Sequence, residues 1–146
     1  MTKILKKILL NSIRNLFELD KYDFKKIIIK KEVIEDIIDF AKANHPKEFV
    51  AFFNGMIKNK ELTIKNLVYN EYLSNESSAI PIFHFPDKSF YGSVHSHPSG
   101  SNKPSAADRH FFSKIGIVNA IISYPYTIET IKFYNHEGIE IEVIIK

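Results

Sequence analysis

Residues Ser93 to Asp108 read Ser-Val-His-Ser-His-Pro-Ser-Gly-Ser-Asn-Lys-Pro-Ser-Ala-Ala-Asp, gathering two imidazoles, hydroxyls and a carboxylate into one short passage. His95 and His97 stand two apart in a run, Phe90 to Ser96, that has the composition of an extended strand. Alternation along a strand turns both rings to the same face, where one metal ion can bind both. Two neutral imidazoles and one carboxylate around zinc leave the fourth tetrahedral position open to water, which separates a catalytic site from a closed structural one. Such an ion lowers the pKa of its water from about 15.7 to roughly 7, but a base must still collect the proton. The chemistry is hydrolysis, and the base should be a carboxylate from elsewhere in the chain.

The elements around this passage must position those groups. Pro98, Gly100 and Pro104 break regular structure, and Ser105 opens a helical pattern through Ala106, Ala107, Phe111 and Ile115, which puts Asp108 in the first turn. Ser105 and Asp108 also have the spacing of a helix-capping pair, and spacing alone leaves that reading open. Upstream, the isoleucines of Lys26 to Lys30 predict a strand, and Val33, Ile34, Ile37, Ile38 and Ala41 predict a helix that stops before Asn44-His45-Pro46. Glu48 stands at the mouth of a buried strand, Phe49 to Ile57. Lys58 to Lys60 form a turn, and Leu62 to Tyr69 return as the second arm of a hairpin. Leu73 to Ser78 read as a loop, Ala79 to Phe85 as extended, and Pro86 to Lys88 as a turn. After the helix, Ala120 to Ser123 and Thr130 to Tyr134 read as strands, Asn135 to Gly138 as a hairpin turn, and Ile139 to Ile145 as one last strand. His45, His84, His110 and His136 are each isolated and read as surface residues outside the site.

The N-terminal stretch Lys3 to Phe17 carries Ile4, Leu5, Ile8, Leu9, Ile13, Leu16 and Phe17 on one helical face and Lys3, Lys7, Asn11 and Arg14 on the other. Its apolar face is expected to pack on the domain or on a second copy, giving a homodimer through this helix. Asp20 to Phe24 form the connection out of it.

At 146 residues and 45% hydrophobic content the chain has room for one domain with a sizeable core. Twenty Lys plus Arg against 17 Asp plus Glu give a net charge of only +3, with the basic residues scattered, so the charge pattern does not point to nucleic acid. The absence of cysteine excludes disulfides, thiolate zinc sites and a cysteine nucleophile, so any metal must use histidine and oxygen. No apolar run reaches the length of a membrane span and no signal-peptide pattern opens the chain, so the expected location is cytoplasmic.

His95-Ser96-His97-Pro98, then Pro104-Ser105 and Asp108, with Glu48 upstream, resemble the JAMM (MPN-plus) family of zinc metallopeptidases in its prokaryotic, deubiquitinase-like form. That motif is His-x-His, seven residues, Ser, two residues, Asp, and Pro98 to Pro104 supply the seven. The resemblance covers roughly Lys26 to Lys146, dividing the chain into an N-terminal helix and connection (1–25) and a JAMM/MPN domain (26–146). It implies a mixed α+β (α/β) fold, a curved mixed sheet flanked by helices and akin to cytidine deaminases. Deamination is not expected, since zinc deaminases need a Cys-x-x-Cys pair. The implied cofactor is one zinc per chain on His95, His97 and Asp108, with Glu48 as general acid/base and Ser105 steadying the oxyanion. The implied partners are ubiquitin-like modifier proteins, sulfur-carrier proteins or their conjugates. His97-Pro98-Ser99-Gly100 also resembles a DNA-repair-associated branch of the superfamily, and a catalytically silent scaffold is the third reading. The stretch from Ile80 to Tyr91 is shorter than in relatives that carry a helix there.

Overall fold

Three consecutive β-branched isoleucines give β1 (Lys26–Ile29), and an amphipathic run follows it as α1 (Lys31–Asn44), whose buried face is Val33, Ile34, Ile37 and Ala41. This computed structural model describes residues 2–7, 9, 24–69 and 90–146. Helix α1 ends at Asn44 because His45, just before Pro46, is extended (φ −52°, ψ 133°). The hairpin predicted downstream is β2 (Val50–Lys58) with β3 (Glu61–Tyr69), turned by Asn59 and Lys60, which both have positive φ, as a tight two-residue hairpin turn requires. Phe49, Phe52 and Phe53 are fully buried, and each contributes roughly 1.5–3 kcal/mol of apolar burial to holding this arm on the core.

Strand β4 (Phe90–His97) carries both histidines and is followed by α2 (Ala106–Ile115), β5 (Val118–Ser123), a 3₁₀ turn (Ile128–Thr130) and β6 (Ile131–Tyr134). Two short strands, β7 (Glu140–Ile141) and β8 (Ile144–Ile145), complete one eight-stranded mixed sheet in the order β7-β6-β5-β4-β2-β3-β1-β8. Strand β4 is interior, antiparallel to β2 on one side and parallel to β5 on the other. Gly92 makes the second pairing close: its φ is +158°, and any Cβ there would run into the Val118 carbonyl. Helix α2 is the crossover between the parallel pair, so its N-terminus lies at the end of β4 where His95 and His97 emerge. Ligand sites in sheets with parallel strands are commonly at that end.

One expectation is corrected. Ile139 to Ile145 do not form a single strand: β7 pairs antiparallel with β6, whereas β8 pairs parallel with β1 at the opposite edge of the sheet. Three peptide steps separate Ile141 from Ile144, a reach of at most about 11 Å. The two edges must therefore lie close together, and the sheet is curled. Residues 3–7 are helical, with Ile4 and Leu5 exposed. The rest of the predicted N-terminal helix, most of its connection, the loop, extended stretch and turn between Leu73 and Lys88, and His84 lie outside the described residues. Among the described residues, no helix is long and apolar enough to cross a membrane.

Candidate metal centre

The alternation of β4 turns His95 and His97 to one face, as predicted, and their Nε2 atoms are 3.1 Å apart. Asp108, in the first turn of α2, completes the group: Oδ1 is 3.0 Å from His95 Nε2 and Oδ2 is 3.2 Å from His97 Nε2. The side chains of His95, His97 and Asp108 are only 8%, 15% and 17% exposed. Tetrahedral zinc with ligand bonds of about 2.0–2.2 Å holds its donor atoms roughly 3.3–3.6 Å apart. The observed spacings therefore need to open by only a few tenths of an ångström, roughly, to admit the ion. Two imidazoles facing a carboxylate at this range make a cluster able to bind one metal ion, and no second cluster of this kind occurs among the described residues.

Each donor is oriented by a second contact. His97 donates from Nδ1–H to the Ser101 carbonyl at 2.9 Å, which leaves Nε2 as the bare nitrogen of the neutral ring. The His95 ring lies 6.1 Å from that of buried Phe112. Asp108 Oδ2 accepts from the Ser105 backbone N–H at 2.8 Å while Ser105 Oγ accepts from the Asp108 N–H at 3.1 Å, a complete capping box. The capping and ligand readings of this pair are thus both satisfied by one geometry. Burial works against the Asp108 carboxylate, yet hydrogen bonds from His95 and His97 outweigh it and hold the group far below the usual carboxylate range. The same Asp108 hydrogen bond, aided by the Ser101 carbonyl and opposed by burial, raises His97 above its ordinary value.

Glu48 lies just before β2. Val50 is opposite His95, the Ser96 N–H donates to the Phe49 carbonyl at 3.1 Å, and the Phe49 N–H donates to Ser96 Oγ at 2.9 Å. Continuing that antiparallel register sets Glu48 opposite His97, and the Glu48 charge contributes to raising His97. Glu48 and Ser105 are both exposed.

His45 is not in the cluster, but it is not an isolated surface residue either. Its Nδ1 is 2.7 Å from Tyr126 Oη and its ring stacks on Tyr124 at 5.0 Å. Tyr126 is raised chiefly by burial and then by the charges of Tyr124 and Glu48, so this aromatic group borders the same end of β4. His136 pairs with Glu137 at 3.6 Å, and His110 is an exposed residue of α2. Sequence reasoning missed Asn102 and Tyr134, which brace the loop between the ligands. No local signal marks either one, since their contacts join segments about thirty residues apart.

The chain matches the family described as prokaryotic homologs of the JAB domain over residues 30–136. Among solved structures it is similar to a JAB1/MPN domain protein from Archaeoglobus fulgidus, at 32% identity and TM-score 0.63, covering 80% of this chain and 96% of that one. It is also similar to a structure described as JAMM, a metalloprotease-like zinc site in the proteasome and signalosome, at 29% identity and TM-score 0.66, covering 84% and 99%. A protein from Desulfitobacterium hafniense, at 17% identity and TM-score 0.56 over 82% and 92%, shares the fold. No curated protein matches the chain.

Proposed function

Because the chain belongs to the family of prokaryotic homologs of the JAB domain, we propose that it is a cytoplasmic zinc metallopeptidase that releases ubiquitin-like modifier or sulfur-carrier proteins from their conjugates. The observation that carries this reading is the convergence of His95, His97 and Asp108 on one point, with Glu48 two residues before the strand that pairs with β4. The similar structure described as a metalloprotease-like zinc site supports zinc as the ion and peptide hydrolysis as the reaction. His95, His97 and Asp108 would hold the zinc, which would supply a water acidic enough to lose its proton near neutral pH and would polarise the scissile carbonyl.

The chain's own groups do the rest. The Glu48 carboxylate accepts the proton of the attacking water and returns it to the departing amine, whose bond to the carbonyl carbon breaks as the tetrahedral intermediate collapses. Ser105 Oγ spends a lone pair on the Asp108 N–H, so its own O–H stays free to donate to the developing oxyanion. The ligands are recessed at the end of an interior strand, so a flexible chain end reaches them where a folded surface does not. This favours a modifier with an extended C-terminal tail.

The test is incubation of the zinc-loaded protein and of its Glu48→Gln variant with conjugates from the host's own cells. Free modifier should appear with the wild type and not with the variant. Failure of the wild type to release any modifier refutes the substrate class, and equal release by both proteins removes Glu48 from the mechanism.

A further inference from the structure

We infer that Tyr134, acting through Asn102, is a positioning residue that fixes His97 as an Nε2 ligand. The inference rests on the metal-centre reading but not on peptidase activity. Pro98 to Pro104 join the end of β4 to α2, and the Ser101 carbonyl in this segment is what His97 Nδ1–H donates to. A segment rich in glycine, serine and proline has no regular hydrogen-bond ladder of its own, so the position of that carbonyl depends on outside anchors. The Tyr124 N–H holds the Ser99 carbonyl at 3.1 Å, and two further anchors fall on Asn102, the residue next to Ser101. Tyr134 Oη donates to the Asn102 carbonyl at 2.6 Å, and Asn102 Nδ2 donates to the Thr130 carbonyl at 3.1 Å.

Tyr134 is well placed for this. It ends β6, is 4% exposed, and its ring stacks on Phe112 at 6.0 Å with the planes 20° apart. Phe112 in turn lies against His95. One side chain thus backs His95 through its ring and steadies His97 through its hydroxyl. Burial raises the Tyr134 phenol, which keeps the donated proton in place. Residues that orient a ligating imidazole through its other nitrogen are worth about 10- to 100-fold in metal affinity.

The experiment is zinc titration against a chromophoric chelator, using the metal-stripped full chain as wild type, Tyr134→Phe and Asn102→Ala. Imidazole nitrogen spectra of the zinc-loaded proteins, in which Nε2 carries the ion and Nδ1 the proton, accompany it. Tyr134→Phe keeps the ring stacked on Phe112 and removes only the hydroxyl. Its zinc Kd should rise several-fold, up to the about 10- to 100-fold that losing a direct partner of the imidazole costs, with a smaller rise for Asn102→Ala, and the His97 signal should lose Nδ1–H character. A general loss of packing would not move that tautomer signal alone. Unchanged zinc affinity in both variants overturns the inference, as does weaker binding with an unaltered His97 tautomer. A wild-type chain that takes up no zinc overturns the metal-centre reading, and this inference with it.

Discussion

Replacing Asp108 by Asn separates the two jobs of that residue. An asparagine oxygen still accepts from the Ser105 N–H, so the cap of α2 survives. What is lost is the negative charge facing both imidazoles at 3.0 and 3.2 Å. Four-ligand structural zinc sites bind with about 10–16 kcal/mol, or roughly 2.5–4 kcal/mol per ligand. At 1.4 kcal/mol per decade, losing one ligand weakens zinc by about 60- to 700-fold. The effect on unfolding follows by linkage. Zinc at 1,000 times its Kd stabilises by about 4.1 kcal/mol, and a hundredfold weaker site at the same zinc concentration retains about 1.4 kcal/mol. With an unfolding entropy of roughly 2.1 cal/mol/K per residue, the 146-residue chain changes its Tm by about 3 °C per kcal/mol. The zinc-induced rise in Tm should therefore fall from about 13 °C to about 5 °C, while the zinc-free Tm falls only by what the carboxylate charge contributes opposite His95 and His97. Calorimetry with and without zinc reads both quantities. A variant that keeps the full zinc-induced rise refutes Asp108 as a ligand, and a zinc-free variant whose Ser105 amide hydrogen exchanges much faster than in the wild type refutes the claim that the cap survives.

Glu48→Gln should keep zinc and the unfolding midpoint while slowing hydrolysis about 10²- to 10⁴-fold, as read from steady-state rates on a conjugate; unchanged turnover counts against the general-base role. Ser105→Ala should lower folding stability by about 1 kcal/mol through the lost cap. In a denaturant melt and a rate measurement on the same sample, a further loss of about 2.7–4 kcal/mol in the transition state identifies the oxyanion donor, and a loss confined to the melt identifies a cap alone. In the zinc-free protein, His97 is raised above 6.5, so its contribution is complete below pH 6.5 and disappears as pH climbs through the raised value. Asp108 is depressed below 3.8, so its contribution is complete above pH 3.8 and disappears on further acidification. The pair thus stabilises the zinc-free form most between these limits. Zinc needs neutral His97, so metal release on acidification, followed with a zinc dye, should begin at higher pH than an ordinary imidazole would give. A zinc affinity that stays constant down to pH 6.5 contradicts the shift.

The parts of the site governed by a local period were readable from the sequence. A strand repeats every two residues, so His95 and His97 had to share a face, and Ser105 to Asp108 had to close a helix's first turn. The position of Glu48 was not readable in that way. Its approach to His97 depends on β2 pairing antiparallel with β4 in one register, a contact between segments almost fifty residues apart. Local pattern gave Glu48 only as a carboxylate at a strand mouth, and the family motif supplied its role. The last strand failed for a related reason. Ile139 to Ile145 have the composition of a single strand, but the curl of the whole sheet brings its two edges together, and the chain leaves β6 for β1 midway. His45 likewise looked isolated because its partners, Tyr124 and Tyr126, lie about eighty residues away.

The cap and the ligand at Asp108 are a single device. An ionised carboxylate offers about four acceptor sites, and here one oxygen serves the Ser105 N–H and faces His97 while the other faces His95. The backbone bond fixes the carboxylate plane before any metal arrives, sparing the side-chain ordering that a free aspartate would have to undergo on binding. The positive end of the α2 dipole favours the ionised form, which is the form a metal ligand must have. The helix also needs an acceptor at this position for its own cap, so the two hydrogen bonds of the capping box orient the Asp108 carboxylate. The three donors stand within a few tenths of an ångström, roughly, of zinc spacing, with the capping box holding the carboxylate toward both imidazoles.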